Sequence, residues 1–327
     1  MMISPLSVAD LVKSRHATGS SPGARSDTAK LGLIIEGGGM RGVVSGGMVG
    51  ALETLDLLHC FDAVYGSSAG SINGAYFLAG QARYGTTIYY QDINNRSFID
   101  MKRLFANRPA LSLEFLLDDV AENVKPLRWE RVLNSRIPLI AVASSLSEGR
   151  AEHLTGFTDK EDLRECLRAS ARIPIVAGPP VQHRGMILWD ALIYEPIPLR
   201  AALDDGCTHI LALLTRPAAQ LRAQLSLFEK HVIAHLIGKY SSRAREAYLA
   251  RVRQYNDSVN ELVGRSGATL GGQTAYLVAQ LSPKDPAIKG TEIDHNLLLQ
   301  GARAGFLSVY RTLGFPEPQV VEVLNAF

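Results

Sequence analysis

Short apolar runs bounded by glycine alternate along this chain with stretches whose apolar residues recur every three or four positions. Leu31 to Ile35 (LGLII) is apolar throughout, which suits a strand covered on both faces, as in a parallel sheet under helices. A helix is predicted from about Gly46 to Leu58, with Met48, Ala51, Leu52 and Leu55 on one side. A second strand, Phe61 to Tyr65, runs into Gly66-Ser67-Ser68-Ala69-Gly70, where another helix starts and carries Ile72, Ala75, Tyr76 and Leu78 toward the core. Further strands are predicted at Ile137 to Ala143, Met186 to Trp189, His209 to Leu214 and Thr274 to Leu281, and helices at Lys160 to Ala169 and Ile293 to Leu313. Strands alternating with helices predict an α/β fold with a mostly parallel sheet.

Residues 217–263 break this alternation, being long, helical in pattern and free of strand signals. Leu221, Leu225, Phe228, Val232 and Leu236 form an apolar stripe at helical spacing. Charge singles out the same region. Residues 216–265 carry nine basic side chains against four acids, a net +5 in a chain whose total is only +2. Residues 1–29, rich in Ser, Gly, Ala and Thr, are expected to be a mobile leader. The expected organisation is therefore that leader, an α/β catalytic core over 30–215, and a mainly helical extension with one late strand over 216–327, packed on or capping the core.

Composition narrows the function classes. The chain has 327 residues, 46% of them hydrophobic, enough for a sizeable core. A nearly balanced net charge gives no reason to expect a nucleic-acid partner. Cys60, Cys166 and Cys207 contain no CxxC pair, so neither a disulfide framework nor a structural metal is expected. No window reaches the length and apolarity of a membrane span, and the N-terminus has no signal-peptide core, so a soluble, cytoplasmic protein is expected.

Two glycine-rich motifs carry the candidate chemistry. Gly37-Gly38-Gly39-Met40-Arg41-Gly42 follows the first strand directly. Glycines there let the backbone turn tightly and expose successive N–H groups as an anion-binding concavity, for a nucleotide phosphate or for the oxyanion of acyl transfer. The dinucleotide version needs an acid at the end of the next strand, where this chain has Tyr65-Gly66-Ser67-Ser68. The second motif, Gly66-Ser67-Ser68-Ala69-Gly70, has the G-x-S-x-G form of a nucleophile elbow between a strand and a helix. The frame puts Ser68 at the apex and makes Ser67 its rival. The bland reading is a glycine-serine loop that merely caps a helix.

A serine nucleophile needs a base. None of the eight histidines falls in a small-residue loop; His209 lies within an apolar strand, and His295, in the last helix, stays open. Asp190 ends an apolar strand (MILWD), where an acid is costly unless paired or useful; a turn-forming or helix-capping role is its alternative.

Taken in order, GGGMRG, FDAVYGSSAGSINGA, LRASARIPIVAGPPV and WDALIYEPIPLRAALDDGCTHILAL resemble the patatin-like phospholipase family, clearly over residues 31–215 and more loosely beyond. The resemblance implies a three-layer α/β/α fold and a Ser68–Asp190 dyad without histidine. It also implies an oxyanion loop over Gly37, Gly38, Gly39, Met40, Arg41 and Gly42, with donors around Gly38, Gly39 and Met40 and with Arg41 organising the loop. No cofactor is implied. Two departures stand out: Ala191 follows the aspartate where the family usually has glycine, and Tyr194-Glu195 stands where an asparagine is often found. A needed left-handed turn at 191 would displace Asp190, and Glu195 nearby would raise its pKa.

The expected activity is hydrolysis of lipid acyl esters, of the phospholipase A or lysophospholipase type, with residues 217–263 as a lid or a peripheral contact with anionic lipid headgroups. A helix packed on the sheet with a solvated basic face is the plainer reading of that segment. The alternatives are a Ser-His-Asp carboxylesterase on small esters, and a degenerate member that binds an acyl ligand or a partner protein without catalysis.

Overall fold

The computed structural model describes residues 6–218, 220–268, 272–319 and 323; the remainder of the expected leader and extension lies outside the described residues. In chain order the elements are α1 (Val8–Thr18), β1 (Leu31–Ile35), α2 (Gly42–Thr54), β2 (Ala63–Ser67), α3 (Ala69–Leu78), α4 (Ala82–Gln91), α5 (Trp129–Leu133), β3 (Leu139–Ser145), β4 (Arg150–Leu154), α6 (Lys160–Ala171), β5 (Val181–His183), β6 (Met186–Asp190), α7 (Leu199–Asp204), β7 (His209–Pro217), α8 (Ala234–Gly238), α9 (Ser242–Gly264), β8 (Ala275–Leu281) and α10 (His295–Leu313). Two π-helical segments, Phe115–Val124 and Glu229–Ile233, lie between them.

The sheet is mixed and mostly parallel. β8, β7, β1, β2 and β3 pair in parallel in that order, while β4 and β6 pair antiparallel with β3, and β5 with β6. Its residues alternate between two apolar layers. Leu31, Leu33 and Ile35 of β1 join the core shared with α2, α3, α4 and α10, while Ile34 joins the opposite core shared with Tyr255 and Leu262 of α9. Burial on both faces explains why β1 reads as a continuous apolar run.

The register on β3 positions the site. Ala141 and Val142 pair with β2 and β4 at once, and Ala143 to Ser145 pair with β6 and β4 at once. A strand residue has one neighbour on each edge, so β2 and β6 follow one another along the same edge of β3. Their C-terminal ends therefore meet head to head, Ser67 opposite Val142 and Asp190 opposite Ala143. On the other side, Ile35 pairs with Gly66, so the loops leaving β1 and β2 also emerge together.

Three features differ from the pattern read in the sequence. Residues 8–18, expected within a mobile leader, form α1, capped by Ser7 and packed through Val8, Leu11 and Val12. Its anchor is polar and long-range: Arg15 is 1% exposed, pairs with Asp27 at 2.7 Å and Asp62 at 2.6 Å, and donates to the carbonyls of Cys60 and Ala29. Residues 220–226 are not helical, and the stripe expected over 221–236 is broken by the π turn. Leu221 is exposed and Leu225 buried in the non-helical stretch, and past it the π turn leaves Val232 exposed while Ile233, Ala234 and Ile237 are buried. Finally, β8 joins the central sheet and α10 packs on α2, so the sheet continues past residue 215.

Candidate active site

β2 ends at Ser67 and α3 begins at Ala69, leaving Ser68 alone at the turn with φ +53° and ψ −128°. A side-chain-bearing residue held there is strained by about 1–3 kcal/mol. The surroundings hold it. A Cβ on Gly66 would lie 2.4 Å from Ser71 Cα, and one on Gly70 2.2 Å from the Ile35 carbonyl, so only glycine lets α3 start this close to the sheet. The Ser71 hydroxyl donates to the Ser68 carbonyl at 2.7 Å. The Ser68 amide donates to Ser170 Oγ at 3.0 Å, and that hydroxyl donates on to the Val142 carbonyl at 2.6 Å. Ser67, the rival, turns its hydroxyl into the fold, donating to the Pro196 carbonyl at 2.8 Å. Ser68 is only half-buried and lines a cavity of about 400 Å³.

Asp190 lines the same cavity and is 1% exposed. Its Oδ1 accepts the Leu192 amide at 2.8 Å, the turn-capping role weighed from the sequence, but Oδ2 is buried with no hydrogen-bond partner. Burial pushes its pKa up to about 6, against the opposing influence of the nearby Ser68 hydroxyl, the Leu192 amide and the charges of Arg222 and Arg251. The Ser68 hydroxyl thus stands near enough to favour the carboxylate without sitting in hydrogen-bond geometry to Oδ2. Neither departure at 191 or 195 acts as anticipated. Ala191 is not in the left-handed region, so it fits the short 3₁₀ turn over Ala191–Ile193 without strain. Glu195 faces elsewhere, pairing with His153 at 2.9 Å and accepting the Ala201 amide at 2.8 Å.

The glycine loop after β1 wraps over the elbow. A Cβ on Gly37 would lie 2.3 Å from the Ser67 carbonyl and 2.8 Å from Ser68 Cβ, and Gly38 and Gly39 adopt φ +146° and +60°. The loop's donors differ from the expected set. Met40 N–H is spent on the Gly290 carbonyl at 3.0 Å and Arg41 N–H on the Gly38 carbonyl at 3.2 Å, while the Gly42 amide bonds back to Gly39 and Met40. The amides of Gly38 and Gly39 have no acceptor among the described residues. Arg41 does hold the loop: its Nε donates to Thr215 Oγ1 at 3.0 Å, and Thr215 in turn donates to the Gly37 carbonyl and to Glu36 Oε2.

Much of the opposite wall comes from the end of β7 and the region past it. Arg216, Arg222, Tyr248, Arg251 and Tyr255 line the cavity, joined by apolar Leu111, Ile173, Val176, Leu192 and Ile233. No histidine lines it among the described residues. His295 donates from Nδ1 to the Tyr90 carbonyl at 2.7 Å, and His209 from Nε2 to the Leu6 carbonyl at 3.0 Å.

Elsewhere, Asp162, Cys166 and His183 bring potential metal-binding atoms within 4.8 Å of one another. Arg184 already supplies the cation there, at 2.5 Å from Asp162, and burial pushes the Cys166 thiol up to about 12, which keeps it protonated. The cluster is complete as an ion-pair network. Sequence reasoning missed Ser170 and the Glu36–Thr215–Arg41 link. A small polar residue on an otherwise buried helix face was the available sign of Ser170; nothing local to Glu36 or Thr215 signals the other.

Residues 33–203 match the sequence profile of the family described as Patatin-like phospholipase. The chain is 24% identical over 192 residues to the uncharacterized protein YjjU of Escherichia coli K12, covering 58% of this chain and 53% of that protein. It thus spans about half the length of the curated relative it matches. Two solved structures of human GIVD cytosolic phospholipase A2 with methyl γ-linolenyl fluorophosphonate are similar over 97% of this chain and 62% and 61% of theirs, with TM-scores of 0.44 and 0.41 at 12% and 13% identity. With its profile match extending over more than half of its length, the chain belongs to the patatin-like phospholipase family.

Proposed function

We propose that this protein hydrolyses acyl esters of lipids with Ser68 as nucleophile, Asp190 as the sole base, and the Gly38 and Gly39 amides as oxyanion donors. The observation that carries this reading is the pairing of a strained, cavity-facing Ser68 with a buried Asp190 whose second oxygen is unclaimed. Ionised Asp190 takes the Ser68 proton as Oγ attacks the ester carbonyl. The two amides hold the tetrahedral oxyanion, each contributing on the order of 3 kcal/mol in such sites. Asp190 then returns the proton to the departing alcohol and activates the water that releases the fatty acid. A base near neutral pKa is well matched to both transfers.

Family membership and the apolar half of the cavity wall support a lipid acyl chain as the group that enters. On this reading the catalytic core of 30–215 is completed by β8 and α10, and the helical segment between β7 and β8 caps it. Leu221, Leu227, Phe228 and Val232, between 41% and 74% exposed, would meet a lipid surface beside the cavity mouth. Among the described residues no helix is long and apolar enough to cross a membrane, so such contact would be peripheral.

A fluorophosphonate probe is expected to label the wild type and not Ser68→Ala. Turnover of a p-nitrophenyl ester should fall at least about a hundredfold in Asp190→Asn, the lower end for loss of a general base. Retained turnover in the aspartate variant would sink the dyad. Mass spectrometry of products from a total lipid extract, wild type against Ser68→Ala, identifies the substrate.

A further inference from the structure

Arg216, Arg222 and Arg251 line the cavity, and the proposed acyl-transfer steps use them only in that the charges of Arg222 and Arg251 favour ionised Asp190. Arg251 is 3% exposed, and one terminal nitrogen pairs with Glu229 at 2.5 Å, yet its Nε and Nη1 are buried with no hydrogen-bond partner. Arg216 Nε is likewise buried and unpaired. The Arg222 backbone is clipped to Asn256 at 2.9 and 3.3 Å, but its guanidinium makes no hydrogen bond or ion pair among the described residues. Burial and then the neighbouring Arg251, Arg216 and Arg41 push Arg222 down to about 10. Of the acids lining the cavity, Glu36 accepts the Thr215 amide and Glu229 is held by Ser226 and Arg251, while Asp190 feels the charges of Arg222 and Arg251 but makes no ion pair with them among the described residues.

Like charges converging on one cavity with buried, unmet donors form a receptor for an anion. Three guanidinium groups suit a group with several oxygens and up to two negative charges. The same arrangement disfavours a quaternary ammonium. The aromatic faces that could hold one are covered, Tyr248 by Arg251 at 3.9 Å and Tyr255 by Arg216 at 5.7 Å. The geometry points to a subsite in which Arg216, Arg222 and Arg251 take a terminal phosphate monoester on the alcohol side of the acyl ester attacked by Ser68, in preference to a zwitterionic or neutral headgroup. This rests on the acyl-hydrolase reading for its substrate, though not for the binding itself.

The test compares kcat/KM for three esters of one acyl chain: 1-acylglycerol 3-phosphate, 1-acylglycerophosphocholine and 1-acylglycerol. The wild type is expected to prefer the phosphate monoester at least about tenfold, and Arg222→Gln to lose about tenfold of that preference, the size of one charged hydrogen bond. Arg251→Gln is the second variant; Arg222 is the cleaner probe because its guanidinium holds nothing else in the fold. Equal use of the choline ester, or a preference unchanged in both variants, overturns the subsite. Calorimetry on Ser68→Ala separates the two readings. Arg222-dependent binding of the phosphate monoester by that protein supports the subsite even where the wild type hydrolyses none of the three esters, which would defeat the hydrolase reading alone. Absence of such binding, or binding of inorganic phosphate that the ester does not displace, overturns the headgroup assignment.

Discussion

Ser170 lies directly under Ser68, accepting its amide hydrogen at 3.0 Å and passing its own hydroxyl hydrogen to Val142 at 2.6 Å. A backbone N–H at a strained turn has few ways to find a partner, and here a helix residue 102 positions away supplies it. Ser170→Ala keeps the Cβ and removes only that link. The expected result is a loss of about 1–3 kcal/mol of stability, the cost of an unmet buried donor, measured by denaturant unfolding. A fall in kcat larger than any change in KM should accompany it, since the residue positions the elbow and touches no substrate.

The pH profile follows from Asp190. As the proposed base it must be ionised, and burial pushes its pKa up to about 6. The value of kcat/KM for an uncharged ester should therefore rise with pH through about 6 and then level off, with the acid limb moving to lower pH in any variant that opens Asp190 to water. A flat profile between pH 5 and pH 7 would count against the assignment.

Stability carries the opposite sign. The folded-state pKa of Asp190 is raised above the ordinary 3.8, so its contribution is fully present below 3.8 and is lost as pH rises through about 6. The full shift corresponds to about 3 kcal/mol. Asp190→Asn, which does not titrate, should gain stability relative to the wild type between pH 4 and pH 7, up to roughly that amount, as read from paired urea melts.

Arg15 makes the N-terminal helix part of the fold rather than an appendage. Replacing it with methionine leaves Asp27 short of its partner and the Ala29 carbonyl without its side-chain donor, while Arg25 continues to hold Asp62 and the Cys60 carbonyl. Removing one partner of a buried ion pair costs about 3–5 kcal/mol, and the partial exposure of both aspartates places the expected loss at the low end. The pH profile of the Arg15→Met enzyme should keep its midpoint, because the change lies away from the cavity.

What the sequence revealed follows how local each signal is. The strand at Leu31–Ile35, the elbow at Ser68 and the acid at Asp190 announce themselves within a few residues, through apolar runs and glycine spacing. The π turn at Glu229–Ile233 hides from a reading that looks for three-and-four spacing, and with the non-helical stretch before it breaks the expected stripe, leaving Leu225 buried but Leu221, Phe228 and Val232 exposed. The α1 helix went unread because its anchor, Arg15, is polar and its partners lie 12 to 47 residues away. The donors of the glycine loop were equally illegible: Met40 is silenced by Gly290, which no short window joins to it.

The shared edge of β3 bears on how the protein could change. Ser67 and Asp190 are locked to consecutive residues of a single strand, whereas Arg216 stands at the end of β7 and Arg222 and Arg251 on the segment that follows it. The proposed dyad and the proposed headgroup subsite are therefore carried on different elements of the fold, coupled through the charges of Arg222 and Arg251 on Asp190. On the proposed function, mutational libraries confined to 216–264 should search for new specificities while the ladder keeps Ser68 and Asp190 in register.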